Sequence, residues 1–333
     1  MNTVLPYPAS MDLARLDTPL WPLGRLSRKV GVEILCKQDD LTGAALSGNK
    51  VRKLEFLLAE AVDRGCDRVV TCGGEQSNHA RATAVAAARV GLGCHLLLRT
   101  ADPARPPALE GNVLLDRMVG AAVEWITPQA YGQRDALMQA HAARVEREGG
   151  KVYIIPEGGS NAVGAWGYVR CAEELARQVG RMPATVVYAV GSGGTAAGLI
   201  AGCRLLDLPY RLVGVCVCDD RAYFQSRIAA ILEQMAERFN VDVRTAPEQI
   251  EIWDEFVGLG YALSRQEELI RMHEVARLEG LITDPVYSGK ALYGLLTAIE
   301  RGTSLTPPVV FLHTGGIFGL FPKAAQLAPV VER

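Results

Sequence analysis

The chain has 333 residues, of which 49% are hydrophobic and 22% are charged, and its formal net charge is −2. This length is enough for a large core and suits one large domain or two modest ones. Lysine and arginine are scattered along a nearly neutral chain, which argues against nucleic-acid binding and favours a small-molecule ligand.

Short apolar runs of strand type alternate with helix-forming segments along the chain. The predicted strands are residues 33–37, 67–72, 94–99, 122–126, 151–156, 184–190, 210–218 and 308–313. Helices are predicted between most of them, including 50–66, 80–90 and one that opens at 158–161. This alternation is typical of an α/β fold whose parallel sheets are covered by helices on both faces.

A glycine turn places Lys50 at the start of the first of these helices. A lysine amine held there could form a Schiff base. Taken alone, the segment is more typical of a solvated basic helix face formed by Lys50, Arg52 and Lys53.

The turn at residues 73–79 follows a predicted strand and precedes a helix. Its free backbone N–H groups and the side chains of Ser77 and Asn78 could bind an anion. Both residues are also favoured helix caps, and the two roles are compatible.

The loop at residues 191–198 follows a strongly apolar strand and has the glycine content of a phosphate cradle. It also fits the G-x-G-x-x-[GA] fingerprint, with Asp219 and Asp220 near the expected ribose-binding acid, so alone it favours a nicotinamide-dependent dehydrogenase. That interpretation leaves Lys50 and the 73–79 turn without a role. A reactive amine, an anion site and a phosphate cradle together are what a pyridoxal phosphate enzyme requires.

Apolar runs fall short of the roughly 18 to 20 residues that cross a membrane, and the N-terminal segment lacks the order of a signal peptide. We therefore expect a cytoplasmic protein without membrane contact. The eight cysteines lie mostly in apolar runs and are expected to be buried thiols. Cys216 and Cys218 merely share one face of a predicted strand, so no metal is expected.

Six segments carry a resemblance to a known family. They are GNKVRKLEFL at 48–57, QSNHARATA at 76–84, PEGGSNAVGAWGY at 156–168, the loop at 191–198, DPVYSGKALYGL at 284–295 and HTGG at 313–316. The chain thereby resembles the D-cysteine desulfhydrase / 1-aminocyclopropane-1-carboxylate deaminase family. The resemblance implies the two-domain α/β fold type II of tryptophan synthase β, with a small domain at 48–158 inserted into a large domain formed by 1–47 and 159–333. It also implies pyridoxal 5'-phosphate between the domains and a homodimer.

The resemblance implies roles for individual residues. Lys50 is expected to carry the cofactor and move the substrate α-proton, with Ser77 and Tyr287 as further catalytic residues. The expected cofactor-binding residues are Lys50, Asn78, Gly191, Ser192, Gly193, Gly194, Thr195 and Thr314. The expected substrate-binding residues are Glu75, Gln76, Ser77, Asn78, His79, Tyr261 and Tyr287. The tyrosines could instead be core aromatics, and His79 is expected to pack or hydrogen-bond rather than act as a base.

Three positions favour the desulfhydrase side of the family, namely His79, Ser288 and Thr314. A neutral hydroxyl near the ring nitrogen gives a weaker electron sink than a carboxylate, which suffices when a good β-leaving group departs. The sequence therefore predicts a lyase that converts D-cysteine to pyruvate, ammonia and sulfide. Elimination from another β-substituted alanine such as L-cysteate, 1-aminocyclopropane-1-carboxylate deamination and a non-catalytic binder remain alternatives.

Two departures from the family flank the expected pocket. Residues 317–320 replace a proline-containing run, and Glu75 stands where an apolar residue is usual. Glu75 is either a solvent-facing charge at a helix start or a carboxylate that repels acidic substrates.

Overall fold

The computed structural model describes residues 5–332, which fold around two sheets. The strands are β1 (Leu20–Pro22), β2 (Ile34–Gln38), β3 (Arg68–Gly74), β4 (Gly93–Arg99), β5 (Ala122–Ile126), β6 (Val152–Ile154), β7 (Ala184–Val190), β8 (Tyr210–Cys216), β9 (Ile252–Trp253) and β10 (Val309–His313). The helices are α1 (Gly24–Val30), α2 (Asn49–Asp63), α3 (Asn78–Arg89), α4 (Gly111–Met118), α5 (Pro128–Tyr131), α6 (Arg134–Arg147), α7 (Trp166–Gln178), α8 (Gly194–Leu205), α9 (Arg221–Phe239), α10 (Gln266–Glu279), α11 (Ser288–Glu300), α12 (Ile317–Leu320) and α13 (Ala324–Val331).

The larger sheet has the order β1-β2-β10-β7-β8-β9 and the smaller sheet has the order β5-β4-β3-β6. Every neighbouring pair runs parallel except the edge pair β1 and β2. The predicted parallel α/β architecture is confirmed. The smaller sheet is built from residues 68–154, inside the expected small domain, while the domain boundaries themselves stay a prediction.

Some local predictions differ from the structure. Strands β1 and β9 have three and two residues, too short for a periodic pattern to reveal. The helix expected to open at 158–161 begins instead at Trp166. Gly158 and Gly159 have φ values of 68° and 61° and end a short 3-10 turn, so they break the chain direction before the helix starts.

The central strand β7 shows how the larger sheet is covered. All seven residues are buried. Val186, Tyr188 and Val190 pack in one apolar cluster with residues of α7 and α8. Val187 and Ala189 pack in another cluster with residues of α11. Alternate side chains therefore enter cores on opposite faces, as expected for a parallel sheet.

Helix α2 is held against the larger sheet by buried charges. Arg52 donates from Nε to Oδ2 of Asp39 at 2.8 Å and from Nη1 to Oε1 of Glu174 at 2.7 Å. Lys37 Nζ also donates to Glu174, and the Tyr168 hydroxyl donates to Asp39. Desolvation raises the pKa of Asp39, but the charge and hydrogen bonds of Arg52 outweigh it and hold that pKa below its usual value. Two cations therefore balance two carboxylates in a fully buried network.

No helix within residues 5–332 is long and apolar enough to cross a membrane.

The network predicts a specific stability difference. Arg52→Gln leaves the carboxylates of Asp39 and Glu174 buried without their main cation, which should lower the free energy of unfolding by about 3–5 kcal/mol. Arg177→Gln is the matched control, because its ion pair with Asp17 is half-exposed and should contribute less than about 1 kcal/mol. Urea unfolding of the cofactor-free protein measures both. Equal losses in the two variants would contradict a structural role for the buried network.

Candidate active site

A cavity of about 410 Å³ lies between the two sheets, where their parallel strands end. Its wall includes residues at the carboxyl ends of β3, β4, β7 and β10 and residues just beyond β8. The carboxyl ends of parallel strands are the usual place for ligand sites in α/β folds.

Most of the residues predicted from the sequence line this cavity. They are Lys50, Ser77, Asn78, His79, Gly191, Ser192, Gly193, Thr195, Tyr261, Tyr287 and Thr314. Segments that lie far apart in the sequence therefore converge on one space.

Lys50 is placed by the turn before α2. Gly48 has a φ of 91°, and a Cβ there would lie 2.9 Å from the Thr314 carbonyl oxygen. The Asn49 N–H donates to the same oxygen at 3.0 Å, so the first turn of α2 lies against the end of β10. Desolvation lowers the pKa of the Lys50 amine to about 8, while the Glu157 carboxylate opposes the shift. The lowered pKa therefore raises the fraction of the amine that is unprotonated and nucleophilic near neutral pH.

The 73–79 turn presents a helix N-terminus to the cavity. Ser77 Oγ accepts from the Ala80 N–H at 3.1 Å, so the capping role is present. Asn78 Oδ1 accepts from Asn112 Nδ2 at 3.0 Å, which leaves the Asn78 amide nitrogen to donate into the cavity.

His79 is held at the cavity wall by a hydrogen bond. Its Nε2 lies 2.8 Å from Thr71 Oγ1, which donates to the Ile155 carbonyl and so accepts from the imidazole. Desolvation, with the charges of Lys50 and Lys53, lowers the pKa of His79 well below its ordinary value. This geometry supports the hydrogen-bonding interpretation of His79 rather than that of a base.

A buried lysine lies beside the start of α8. Lys53 is buried, and its Nζ lies 3.2 Å from the Gly158 carbonyl and 3.3 Å from Ser160 Oγ. Desolvation, followed by the charges of Lys50 and Arg227, lowers the pKa of Lys53 well below its ordinary value. Within residues 5–332 no carboxylate pairs with this amine. A buried amine beside a helix N-terminus fits an anion such as a phosphate, because a bound anion would stabilise the protonated form of the amine.

The glycines of the 191–195 loop leave room for that anion. Gly193 has a φ of 86° and precedes α8. A Cβ on Gly194 would lie 2.6 Å from Ser160 Oγ and 2.9 Å from Lys53 Nζ. Gly194 itself is not among the residues that line the cavity. Its N–H donates to Ser160 Oγ at 3.1 Å. Its predicted contribution is therefore to leave space rather than to line the wall.

Two predicted substrate-binding side chains lie outside the cavity wall. Glu75 Oε1 accepts from the Thr100 hydroxyl at 2.5 Å. Gln76 accepts from the Asn112 N–H at 2.8 Å and donates to the Glu110 carbonyl. These hydrogen bonds hold both side chains on the small-sheet side, so the structure does not support direct substrate contacts by them.

Two tyrosines, Tyr261 and Tyr287, form another part of the cavity wall. The hydroxyl oxygens of Tyr261 and Tyr287 lie 2.7 Å apart. Desolvation raises the pKa of Tyr261 to about 12 and that of Tyr287 well above its ordinary value, so both hydroxyls keep their protons. One proton joins the pair, and the other is available to a ligand.

Sequence reasoning missed several lining residues. They are Asn49, Arg99, Tyr131, Arg134, Glu157 and Arg227. Lys53 was considered only as a solvated charge, although it lies three positions from Lys50 and so near the same side of α2. The contacts between Lys53 and residues 158–160 are long-range and leave no local signal.

Comparison with known proteins decides which class of enzyme this is. The sequence model described as "Pyridoxal-phosphate dependent enzyme" matches residues 11–315. The chain belongs to this family. It is therefore a pyridoxal-phosphate-dependent lyase, and the fold type II, cofactor and lyase predictions are confirmed. The dehydrogenase interpretation of the 191–198 loop is wrong, and Asp220 instead caps α9 by accepting from the Tyr223 N–H.

Relatives of this pyridoxal-phosphate-dependent enzyme carry two activity names. The chain is 42% identical to a bifunctional D-cysteine desulfhydrase/1-aminocyclopropane-1-carboxylate deaminase, mitochondrial, of Arabidopsis thaliana, covering 98% of this chain and 83% of that protein. It is 40% identical to a D-cysteine desulfhydrase of Yersinia enterocolitica, covering 95% and 96%. A solved structure of an ACC deaminase homologue superposes with a TM-score of 0.90 at 36% identity, covering 98% and 97%.

The residues present fit pyridoxal 5'-phosphate. The Lys50 amine can carry it, and Lys53 with the N-terminus of α8 can hold its phosphate. The bound cofactor supplies an electron sink for the substrate Cα.

The pKa of Lys50 gives a testable pH dependence. Cofactor attachment needs the unprotonated amine, so the rate at which the cofactor-free enzyme takes up pyridoxal phosphate should rise with pH through about 8. Glu157→Gln removes the charge that favours the protonated amine, so the midpoint should fall. Stopped-flow absorbance measures the rate. The control is Glu124→Gln, whose carboxylate instead pairs with His95 and should leave the midpoint unchanged. An unmoved or higher midpoint in the Glu157 variant contradicts the assignment.

The cradle predicts a steric effect. Gly194→Ala places a Cβ against Ser160 and Lys53, and should weaken cofactor binding by at least about tenfold. Gly24→Ala is the control, because the nearest atom to its Cβ, Arg28 Nη1, lies 3.7 Å away. Equilibrium dialysis with pyridoxal phosphate gives both dissociation constants. Unchanged affinity in the Gly194 variant would place the phosphate elsewhere.

Proposed function

We propose that the enzyme catalyses α,β-elimination from a small β-substituted alanine, with D-cysteine as the leading substrate and pyruvate, ammonia and sulfide as products. The observation that carries the proposal is the convergence of the Lys50 amine, the N-terminus of α3 and the Tyr261–Tyr287 pair on one cavity. These are a base, an anion site and a proton donor in one space.

Substrate orientation comes from the start of α3. The backbone N–H of Asn78 and the side chains of Ser77 and Asn78 bind the substrate carboxylate, because a helix N-terminus favours a negative charge. This places the Cα of an amino acid near Lys50. The unprotonated amine of Lys50 removes the α-proton, and the protonated amine can later return this proton to the product.

Departure of the β-substituent is assisted from the tyrosine wall. The hydroxyls of Tyr261 and Tyr287 share one hydrogen bond and keep both protons. The proton that the pair does not use can be donated to a leaving thiolate. Tyr287 is the donor in this proposal, and Tyr261 orients it.

The residue at the end of β10 favours elimination over cyclopropane opening. Thr314 lines the cavity with a neutral hydroxyl. Ser288, the other position that distinguishes the activities, is fully buried, its hydroxyl donates to Asp284 at 2.6 Å, and it is not among the residues that line the cavity. A neutral Thr314 supports a weaker electron sink, which suits a good leaving group. The Arabidopsis relative is named for both activities, so deamination of 1-aminocyclopropane-1-carboxylate is the second candidate. The homodimer and cytoplasmic location also remain predictions.

A substrate panel tests the proposal. The holoenzyme is assayed for pyruvate with D-cysteine, L-cysteine and β-chloroalanine, and for ammonia with 1-aminocyclopropane-1-carboxylate. We expect D-cysteine to give the highest kcat/KM and the cyclopropane substrate to be poor. Lys50→Ala should abolish turnover of all of them, whereas the surface control Lys29→Ala should not. A higher kcat/KM for the cyclopropane substrate than for D-cysteine would reverse the assignment.

A further inference from the structure

The outer part of the cavity holds a cation that the proposed elimination does not use. Arg99 is the last residue of β4 and is paired in register with Gly74, at the start of the substrate turn. Its guanidinium lies over the rings of Tyr131 and Tyr261, with Cζ 4.9 Å and 5.4 Å from their centroids. Two aromatic rings thus fix its plane at the cavity wall.

Arg99 has no protein anion to neutralise it. Within residues 5–332 no carboxylate forms an ion pair with it. The acid of this region, Glu157, accepts from the Tyr131 hydroxyl at 2.5 Å and pairs with Arg134 at 3.2 Å. Glu75, which the sequence analysis placed in the pocket, instead accepts from Thr100. Four basic residues line the cavity, namely Lys50, Arg99, Arg134 and Arg227, against the two carboxylates of Glu157 and Asp219, so basic residues outnumber acidic ones in its wall.

Arg99 lies directly beside the substrate turn. Gly74 has no side chain, and a Cβ there would lie 4.0 Å from Arg99 Nη2 and 3.5 Å from Tyr261 Cε1. Tyr261 is hydrogen-bonded to Tyr287. Arg99 therefore adjoins both the turn that we assign to the substrate carboxylate and the tyrosine pair that we assign to the leaving group.

We propose that Arg99 determines specificity by binding a negatively charged substituent on the substrate Cβ, so that the enzyme accepts β-substituted alanines with an anionic group such as a sulfonate. This inference rests on the proposed elimination. An oxyanion of this kind matches the planar donors of a guanidinium, and it supplies the charge that the cavity lacks.

The chemistry of such a substrate balances without a further oxidant or reductant. With cysteate, the α-proton is removed and the bond between Cβ and sulfur breaks, with the electron pair leaving on sulfite. Water then converts the remaining enamine to pyruvate and ammonium. With cysteine the leaving group is hydrosulfide, which we assign to the proton donor Tyr287, so Arg99 matters only for a substituent that is charged before the bond breaks.

One of the two sequence-based interpretations of Glu75 predicts the opposite. Glu75 in the pocket would have repelled an acidic substituent, but its carboxylate is held by Thr100 and the cation Arg99 lines the wall instead. The charge that faces the substituent is therefore positive.

The test compares substrates that differ in the charge on Cβ. Wild-type enzyme, Arg99→Gln and Arg99→Lys are assayed for pyruvate with the enantiomers of cysteate and of neutral β-chloroalanine. We expect the wild type to turn over one cysteate enantiomer. Arg99→Gln should lower kcat/KM for cysteate by at least about tenfold and that for β-chloroalanine by less than about threefold, since a hydrogen bond to a charged group is at stake only in the first case. Arg99→Lys should restore part of the cysteate activity.

The outcomes separate this inference from the proposed function. No pyruvate from any β-substituted alanine overturns the elimination itself. Turnover of β-chloroalanine without cysteate, or equal losses on both substrates in Arg99→Gln, overturns the role of Arg99 and leaves the elimination standing.

A measurement on the wild type tests the inference even if the Arg99 variants fail to fold. The non-reacting 3-sulfopropionate should compete with D-cysteine at least about tenfold more tightly than propionate, because it carries, besides the carboxylate that both share, a second anionic group for Arg99. Equal inhibition constants for the two would contradict the inference.

Discussion

The buried contact of Arg52 with Asp39 and Glu174 fixes the helix on which the site depends. Arg52 lies two positions after Lys50, so the two side chains point to different sides of α2. Arg52 faces the core of the larger sheet, whereas Lys50 faces the cavity. Fixing one side of the helix therefore orients the reactive amine on the other, and Lys53, one turn on from Lys50, reaches the phosphate cradle.

Buried charge has two different meanings in this molecule. Around Arg52 every cation has a carboxylate partner, and the arrangement is structural. Lys53 and Arg99 lack such a partner within residues 5–332, and both lie where a ligand would carry negative charge. Lys53 is buried, where an amine without an anionic partner is unfavourable, and Arg99 is partly exposed at the cavity wall, where its guanidinium can meet a ligand. These two positions therefore point to the cofactor phosphate and to the substrate respectively. Whether a basic side chain has a carboxylate partner therefore distinguishes the residues that stabilise the fold from those that we assign to ligand binding.

Much of the fold and part of the site could be predicted from the sequence. The apolar runs that become β2, β3, β4, β5, β7 and β10 are long enough for their pattern to show, and the segments that follow β2 and β3 carry Lys50, Ser77 and Asn78. The remainder depends on contacts between distant segments. Glu75 and Arg99 both lie near strand ends, and only packing decides that one is held by Thr100 while the other faces the cavity.

The central claim is that Lys50 carries the cofactor in this cavity. Borohydride reduction of the holoenzyme, followed by proteolysis and mass spectrometry, tests it most directly, because the reduced link is permanent and identifies its residue. The account predicts a single pyridoxyl adduct on Lys50. An adduct on Lys53, whose amine we assign to the phosphate, or on Lys290, whose Nζ donates to the carbonyls of Val257 and Gly260, would contradict it.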